Sequence, residues 1–503
     1  MIGFGILVVF AIAATLMFLK KLPAILALPL MAMAIACIEW FAGKLTLHEI
    51  GYAIFADGAL RLSEPIVISM FGGMVSILMQ KCGVAEKFIR VGAELAGDDP
   101  WMVSVITLSL IAVLFTTIGG LGAVIMVGTI VLPILSSLGL RDYVTGAIVL
   151  FGICLGGIIN PNNWAMFTSV LKLDIEVVSR FALQMFFVVG LASIAFITME
   201  LWLSGRFRLN AGFFKKAFFW LFMIAILGLS VLLGIKIAGK ENSWAMLRWG
   251  TGILLALSTI CGLIDGWNAR MEKAPKVRWH SFLIPLVPLA LILLYQISFI
   301  PSFLCGFLYG TISTLRRGSL NMISRSVIEG SQSVIPAVVL MIGIGMLLNS
   351  ILGPSPSGPA GKWYKEISSA TSIEKQIQTR EWPVTKDMEP LLAFAVPKNA
   401  FLFVLIFSFL APLALYRGPL NVWGLGYGVG TVLISMGVPS GAVMGILMSV
   451  GIIQGVSDPT NTQNVWIANE VRVDVNTLMW RTIVYTWSAS ILGLAMAGIF
   501  FYR

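Results

Sequence analysis

Charge is scarce in this sequence. Only 12% of the 503 residues are Asp, Glu, Lys or Arg, whereas 58% are hydrophobic. A soluble domain of this size covers its surface with about twice that share of charge, so a water-soluble globule is excluded. Histidine is scarcer still. His48 and His280 stand far apart, which leaves no histidine-based metal or catalytic centre. The five cysteines, Cys37, Cys82, Cys154, Cys261 and Cys305, are isolated in or beside apolar runs. Without a CxxC pair they read as small core hydrophobes, neither a disulfide frame nor a metal site. The N-terminal run has no basic n-region and no small-residue cleavage site, so residues 1–19 are expected to be a mature helix. Catalytic motifs are missing too. His48-Glu49 is followed by Ile50-Gly51-Tyr52 and lacks the second histidine of HExxH. The chain is not expected to be an enzyme.

Long apolar runs are abundant. They fall at about 2–19, 22–42, 63–80, 100–118, 121–138, 143–160, 180–203, 217–235 and 245–265. The series continues at 282–297, 299–315, 333–352, 397–415, 419–437, 439–456 and 480–502. Many reach the roughly 20 residues that cross a hydrocarbon core. The expected class is an all-α polytopic protein of the cell (inner) membrane, with the lipid bilayer as its solvent. The net charge of +10 comes from basic clusters between segments rather than from a nucleic-acid stripe with interleaved aromatics. Lys20-Lys21, Lys81/Lys87/Arg90, Arg206/Arg208/Lys215/Lys216, Arg270/Lys273/Lys276/Arg278 and Arg316/Arg317/Arg325 can all lie in the cytoplasm if both termini lie outside. The loop 353–396 then falls outside as an extramembrane cap.

An internal repeat is visible. LKKLPAIL around Pro23 parallels QISFIPSFL around Pro301. EPIVISMFGGMVSIL (64–78) parallels IPAVVLMIGIGMLLN (335–349), with proline, Val67/Val338, Met70/Met341 and Gly72/Gly343 coincident. MVGTIVLPILSSLGL (126–140) pairs with GVGTVLISMGVPSG (428–441), GGIINPNN (156–163) with GVSDPTNTQN (455–464), and LKLDIEVVSR (171–180) with VRVDVNTLMWR (471–481). The order is kept throughout. The charge map makes the second copy enter the membrane inverted. The division is a first repeat at 1–205, a linking helix pair with cytoplasmic loops at 206–281, and a second repeat at 282–503. Inverted-topology repeats with broken helices and re-entrant hairpins are a frequent plan of secondary transporters, whose sites lie near the midplane.

Matching positions of the two copies carry helix-breaking polar sequence, Asn160-Pro161-Asn162-Asn163 and Ser457-Asp458-Pro459-Thr460-Asn461-Thr462-Gln463-Asn464. Proline removes a donor and frees a carbonyl one turn back. Freed carbonyls with oxygens of Asn160, Ser457, Asp458, Thr460 and Asn461 suit a coupling cation, Na+ or H+. Amide N–H groups opening the next half-helix, with Asn162, Asn163, Thr462, Gln463 and Asn464, suit a small anion. Asp458 is the acid best placed for coupling, and capping of the following half-helix is compatible with that role. A second pair of breaks contains Thr116, Thr117, Gly119 and Gly120 in one copy and Asn421 in the other. They are either hairpin tips at the substrate site or plain loops. Asp174 and Asp474 are expected to be N-caps.

The entry Lys20-Lys21-Leu22-Pro23, the twin repeats and the paired breaks at Asn160–Asn163 and Asp458–Asn464 resemble the ion transporter superfamily. That group includes citrate, gluconate and C4-dicarboxylate carriers, TRAP membrane subunits and some sodium/proton antiporters. The resemblance implies a scaffold domain and a moving transport domain, elevator-type alternating access, often a homodimer, and organic anion (carboxylate) uptake driven by Na+ or H+. It implies no cofactor beyond such a coupling ion. The Ser-Asn-Thr motif of the dicarboxylate/sodium branch occurs in neither half. The alternatives are a Na+/H+ antiporter on the same scaffold, a passive channel, or the membrane subunit of a multi-component uptake system.

Overall fold

The structure, a computed structural model, describes residues 2–19, 21–206, 240–268, 277–316, 319–354, 382–392 and 396–502. The segment expected at 217–235 and most of the loop 353–396 lie outside the described residues. Among the described residues every regular element is helical. Nine of the helices are long and apolar enough to cross a membrane. One bent pair, Asp142–Ile158 with Pro161–Leu171, passes the same test as a span broken by 51°. The chain is therefore an all-α polytopic membrane protein, as composition requires: backbone polar groups in hydrocarbon must be satisfied within the segment.

Most apolar runs of the sequence became helices at their expected places. Several helices are longer than their apolar runs, two of them by several turns. Leu47–Lys81 spans 35 residues and Ser319–Leu352 spans 34. Residues 47–62 carry Asp57 and Arg61, and the helical stretch Leu47–Leu60 gives way to a turn at Arg61-Leu62 before helix Ser63–Lys81.

The chain forms two compact units, each discontinuous in sequence. The first comprises Met1–Met70, Ile153–Ser193 and Gln332–Arg503, so it draws on both ends of the chain and a stretch between. Its densest part is helix Ser440–Ser457, which is buried along nearly its whole length against Val475–Phe501. Two glycines allow that approach. A Cβ on Gly445 would lie 2.2 Å from the Ala497 Cβ, and one on Gly493 would lie 2.4 Å from the Ser449 hydroxyl. Small residues at crossings are how helices pack closely where no hydrophobic effect drives them together. In the same unit, Gly58 and Gly345 bring Leu47–Lys81 against Ser319–Leu352: a Cβ on Gly345 would meet the Gly58 carbonyl oxygen at 2.2 Å.

The second unit comprises Phe71–Gly152 and Ile194–Ser331. Its helix Pro100–Phe115 begins at Asp99, whose carboxylate accepts the Met102 N–H at 2.9 Å, with Pro100 at the first helical position. The buried Glu200 accepts the Tyr143 hydroxyl at 2.6 Å, and Arg141 lies 3.6 Å from the same carboxylate. Helix Lys240–Asn268 exposes Trp244, Trp249, Ile253, Leu257 and Trp267, an apolar surface suited to lipid.

Candidate functional site

Both Pro-containing breaks lie in the first unit. Each opens with the same backbone form. Asn160 has φ −79° and ψ 119°, and Asp458 has φ −73° and ψ 114°. Both are extended residues followed by proline, whose ring disfavours helical geometry in the residue before it. Each side chain then accepts the N–H two residues on. Asn160 Oδ1 accepts from Asn162 at 2.9 Å, and Asp458 Oδ1 accepts from Thr460 at 2.9 Å. The helices leading into the two breaks touch: a Cβ on Gly455 would stand 3.4 Å from Cys154 Sγ.

The carbonyls freed by the breaks do not stay empty. Asn163 Nδ2 donates to Gly157 O at 2.6 Å, and Trp164 Nε1 donates to Ile158 O at 2.8 Å. At the second break, Asn461 Nδ2 donates to Gln454 O (3.2 Å), Gln463 Nε2 to Gly455 O (3.1 Å) and Asn464 Nδ2 to Asp458 O (2.9 Å). Amide side chains of each second half-helix thus reach back to the last turn of the first, which keeps the backbone satisfied. The amide nitrogens are engaged in this way. The buried Asn464 Oδ1 has no hydrogen-bond partner among the described residues.

Asp458 does more than cap. It is 1% exposed, and its carboxyl group also accepts the Thr460 hydroxyl (2.8 Å), the Tyr416 N–H (3.0 Å) and Asn421 Nδ2 (3.3 Å). Asn421 additionally donates to Ala414 O at 3.2 Å. The segment presenting these donors is bent hard: Tyr416 and Arg417 have φ of +55° and +56°, a left-handed conformation that non-glycine residues rarely adopt. Gln454 Oε1 accepts the Val422 N–H at 2.7 Å and fixes the far side of the same segment. Asn421 is therefore brought to the break at Asp458.

The other expected residues divide as follows. Asn162 Oδ1 accepts the Ser69 hydroxyl at 3.0 Å. The Ser457 hydroxyl turns to the last helix, at 2.8 Å from Thr482 Oγ1 and 2.9 Å from Thr486 Oγ1, all three buried. Thr462 starts the second half-helix, Thr462–Glu470. Thr116, Thr117, Gly119 and Gly120 belong to the second unit. There both threonine hydroxyls donate to Pro285 O, that of Thr116 at 3.1 Å. After each half-helix comes a left-handed residue, Lys172 and Arg472, both at φ +56°. Asp474 then caps the final helix through Asn476 N at 2.7 Å.

Sequence reasoning missed Tyr416, Gln454, Thr482 and Thr486. Gln454 was findable as a lone amide in an apolar run, and Thr482/Thr486 as hydroxyls one turn apart. It also missed a buried polar bridge at Asn349. Asn349 Nδ2 donates to Asp57 Oδ2 (3.0 Å) and Ala53 O (2.7 Å), while Arg61 Nη1 donates to Asn349 Oδ1 and to Gly353 O (3.0 Å). Among the described residues no group of three or more His, Cys, Asp or Glu side chains could hold a metal ion.

No family model matches the chain, and no curated protein matches it in sequence. Among solved structures, MtrF of Neisseria gonorrhoeae, described as illuminating a class of antimetabolite efflux pumps, aligns at 11% identity with a TM-score of 0.43. It covers 93% of this chain and 84% of that one. The YdaH transporter of Alcanivorax borkumensis, described as having an unusual topology, aligns at 14% identity with a TM-score of 0.41, over 97% and 98% of the two chains. Similarity at this level leaves the activity of this chain to be read from its own residues.

Proposed function

We propose that this chain is a secondary active transporter of the cell (inner) membrane, coupling a cation, Na+ or H+, to a small organic anion, a carboxylate, by elevator-type alternating access. The observation that carries this reading is the pair of breaks inside one compact unit, each an extended Asn or Asp followed by proline, with the half-helix starting directly after Asn160 and, past a short turn, at Thr462 after Asp458. A purely structural helix needs no such interruption, and polar backbone at membrane depth is tolerated where it lines a cavity or is buried in protein.

In this reading the roles follow the chemistry. Asp458, with Thr460, Asn461, Ser457 and Asn160, belongs to the cation side, where a buried acid in a membrane protein is costly and usually functional. Asn162, Asn163, Asn421, Thr462, Gln463 and Asn464 belong to the anion side, at the positive ends of the half-helices Pro161–Leu171 and Thr462–Glu470. The anion would rest on the N–H groups that open the half-helices, while the buried Asn464 Oδ1, without a hydrogen-bond partner among the described residues, can accept only from a donor group of the substrate or face a cation. The proposed site is confined to the first unit and leaves Thr116, Thr117, Gly119 and Gly120 aside.

The test is uptake into proteoliposomes of labelled mono-, di- and tricarboxylates under a sodium gradient, a proton gradient, or neither. Uphill accumulation of one anion under one gradient supports the symporter. Sodium-driven pH change in the lumen without uptake replaces it with the Na+/H+ antiporter.

A further inference from the structure

A group of ionisable side chains apart from both breaks plays no part in the reading above. Glu39 lies near the end of helix Ala24–Phe41. It is 0% exposed, and neither carboxyl oxygen has a hydrogen-bond partner among the described residues. The chain turns back immediately after it: the N–H groups of Lys44 and Leu45 return to the Glu39 carbonyl at 2.9 and 3.3 Å. This turn sets the Lys44 backbone against the end of the Glu39 helix, and helix Pro383–Leu392 packs on that same helix. Lys44 is joined to both carboxylate oxygens of Asp387. Asp387 stands on helix Pro383–Leu392, whose start is anchored by Trp382 Nε1 to Ser350 O (2.8 Å) and Thr385 Oγ1 to Ile351 O (2.9 Å). All of these residues lie in the first unit.

The charges acting on Glu39 are those of Asp387 and Lys44. Other elements packed on its helix add nothing comparable. Helix Ile2–Phe18 has no charged residue, Tyr52 and Lys386 are exposed, and Glu49 is occupied in capping Thr46. Two carboxyl groups therefore share one ammonium. With both ionised, a negative charge would remain on a group with no donor and no access to water, which costs several kcal/mol. One proton removes that charge. It also supplies the missing donor, because two neighbouring carboxyl groups form a hydrogen bond only when one of them is protonated.

We propose that Glu39 and Asp387 form a proton-binding site that holds one proton between their carboxyl groups, with Lys44 balancing the remaining charge. The site is distinct from the twin breaks. Its test needs neither substrate nor transport, so it stands or falls apart from the transport reading.

The experiment is infrared titration of the full chain in lipid nanodiscs without substrate. The wild type is expected to show a carboxylic-acid C=O stretching band that bleaches as pH rises. Glu39→Gln removes that band, and Asp458→Asn leaves it in place. Asp387→Asn moves the bleaching to lower pH, because the neighbouring negative charge that disfavours an ionised Glu39 is then gone. A wild type without the band, or a band unchanged in Glu39→Gln, overturns the proposal. If Glu39→Gln does not fold, Asp387→Asn decides: bleaching at unchanged pH also overturns it.

Discussion

The break at Asn160 and the break at Asp458 share a backbone and differ in their company. At Asn160 a neutral amide caps the half-helix, and the neighbouring helix contributes one hydroxyl, Ser69, to Asn162. At Asp458 a carboxyl group gathers donors from Thr460, from the left-handed Tyr416 and from Asn421. The first break is capped by a neutral amide. The second ties together three stretches of chain and places its acid where water does not reach. Two breaks of the same Asn/Asp-Pro form thus differ: one is capped by a neutral amide, the other is cross-braced and acidic. Coupling is expected to reside at the second.

The largest effect that should separate them is Asp458→Ala. It leaves the Tyr416 N–H, the Asn421 amide and the Thr460 hydroxyl without their buried acceptor, and is expected to cost about 3–5 kcal/mol in a detergent unfolding titration. An Asp458→Ala protein as stable as wild type would break the comparison. Gln454→Leu probes the brace alone. It strands the Val422 N–H and should cost about 1–3 kcal/mol by the same titration. Asn160→Ala removes the capping oxygen and should cost about 1 kcal/mol or more. The smallest change is Ser457→Ala. It removes one hydroxyl from the trio with Thr482 and Thr486, about 0.6 kcal/mol for an interhelical hydrogen bond in a membrane protein, and a double-mutant cycle with Thr486→Val measures that bond.

Much of this architecture was legible in the residues. The apolar runs place most helices, and Asn160-Pro161 and Asp458-Pro459 mark both breaks because each proline follows an Asn or Asp that can accept backbone N–H groups, whereas Pro29, Pro133 and Pro336 sit inside helices. The left-handed Lys172 and Arg472 fall at matching positions of the LKLD and VRVD blocks. What could not be read is what depends on distant pairing. Residues 47–62 look too polar for a helix in an apolar protein until Asn349, 292 residues from Asp57, is seen between Asp57 and Arg61. The brace at Asp458 depends on Tyr416 adopting positive φ, and tyrosine gives no sequence sign of that. The fate of the freed carbonyls was misjudged for a simpler reason. Asn and Gln carry donors as well as oxygens, and at both breaks the donors face the backbone.

The most direct test of the central claim compares Asp458→Asn with Asn160→Ala in proteoliposomes bearing an imposed sodium or proton gradient. The account predicts that Asn160→Ala, which takes one neutral oxygen from the cation side, lowers uphill accumulation of the anion without abolishing it. It predicts that Asp458→Asn loses accumulation by about 100-fold or more, as expected when a coupling charge worth roughly 3 kcal/mol is removed. Uphill accumulation by Asp458→Asn at the wild-type level would contradict it.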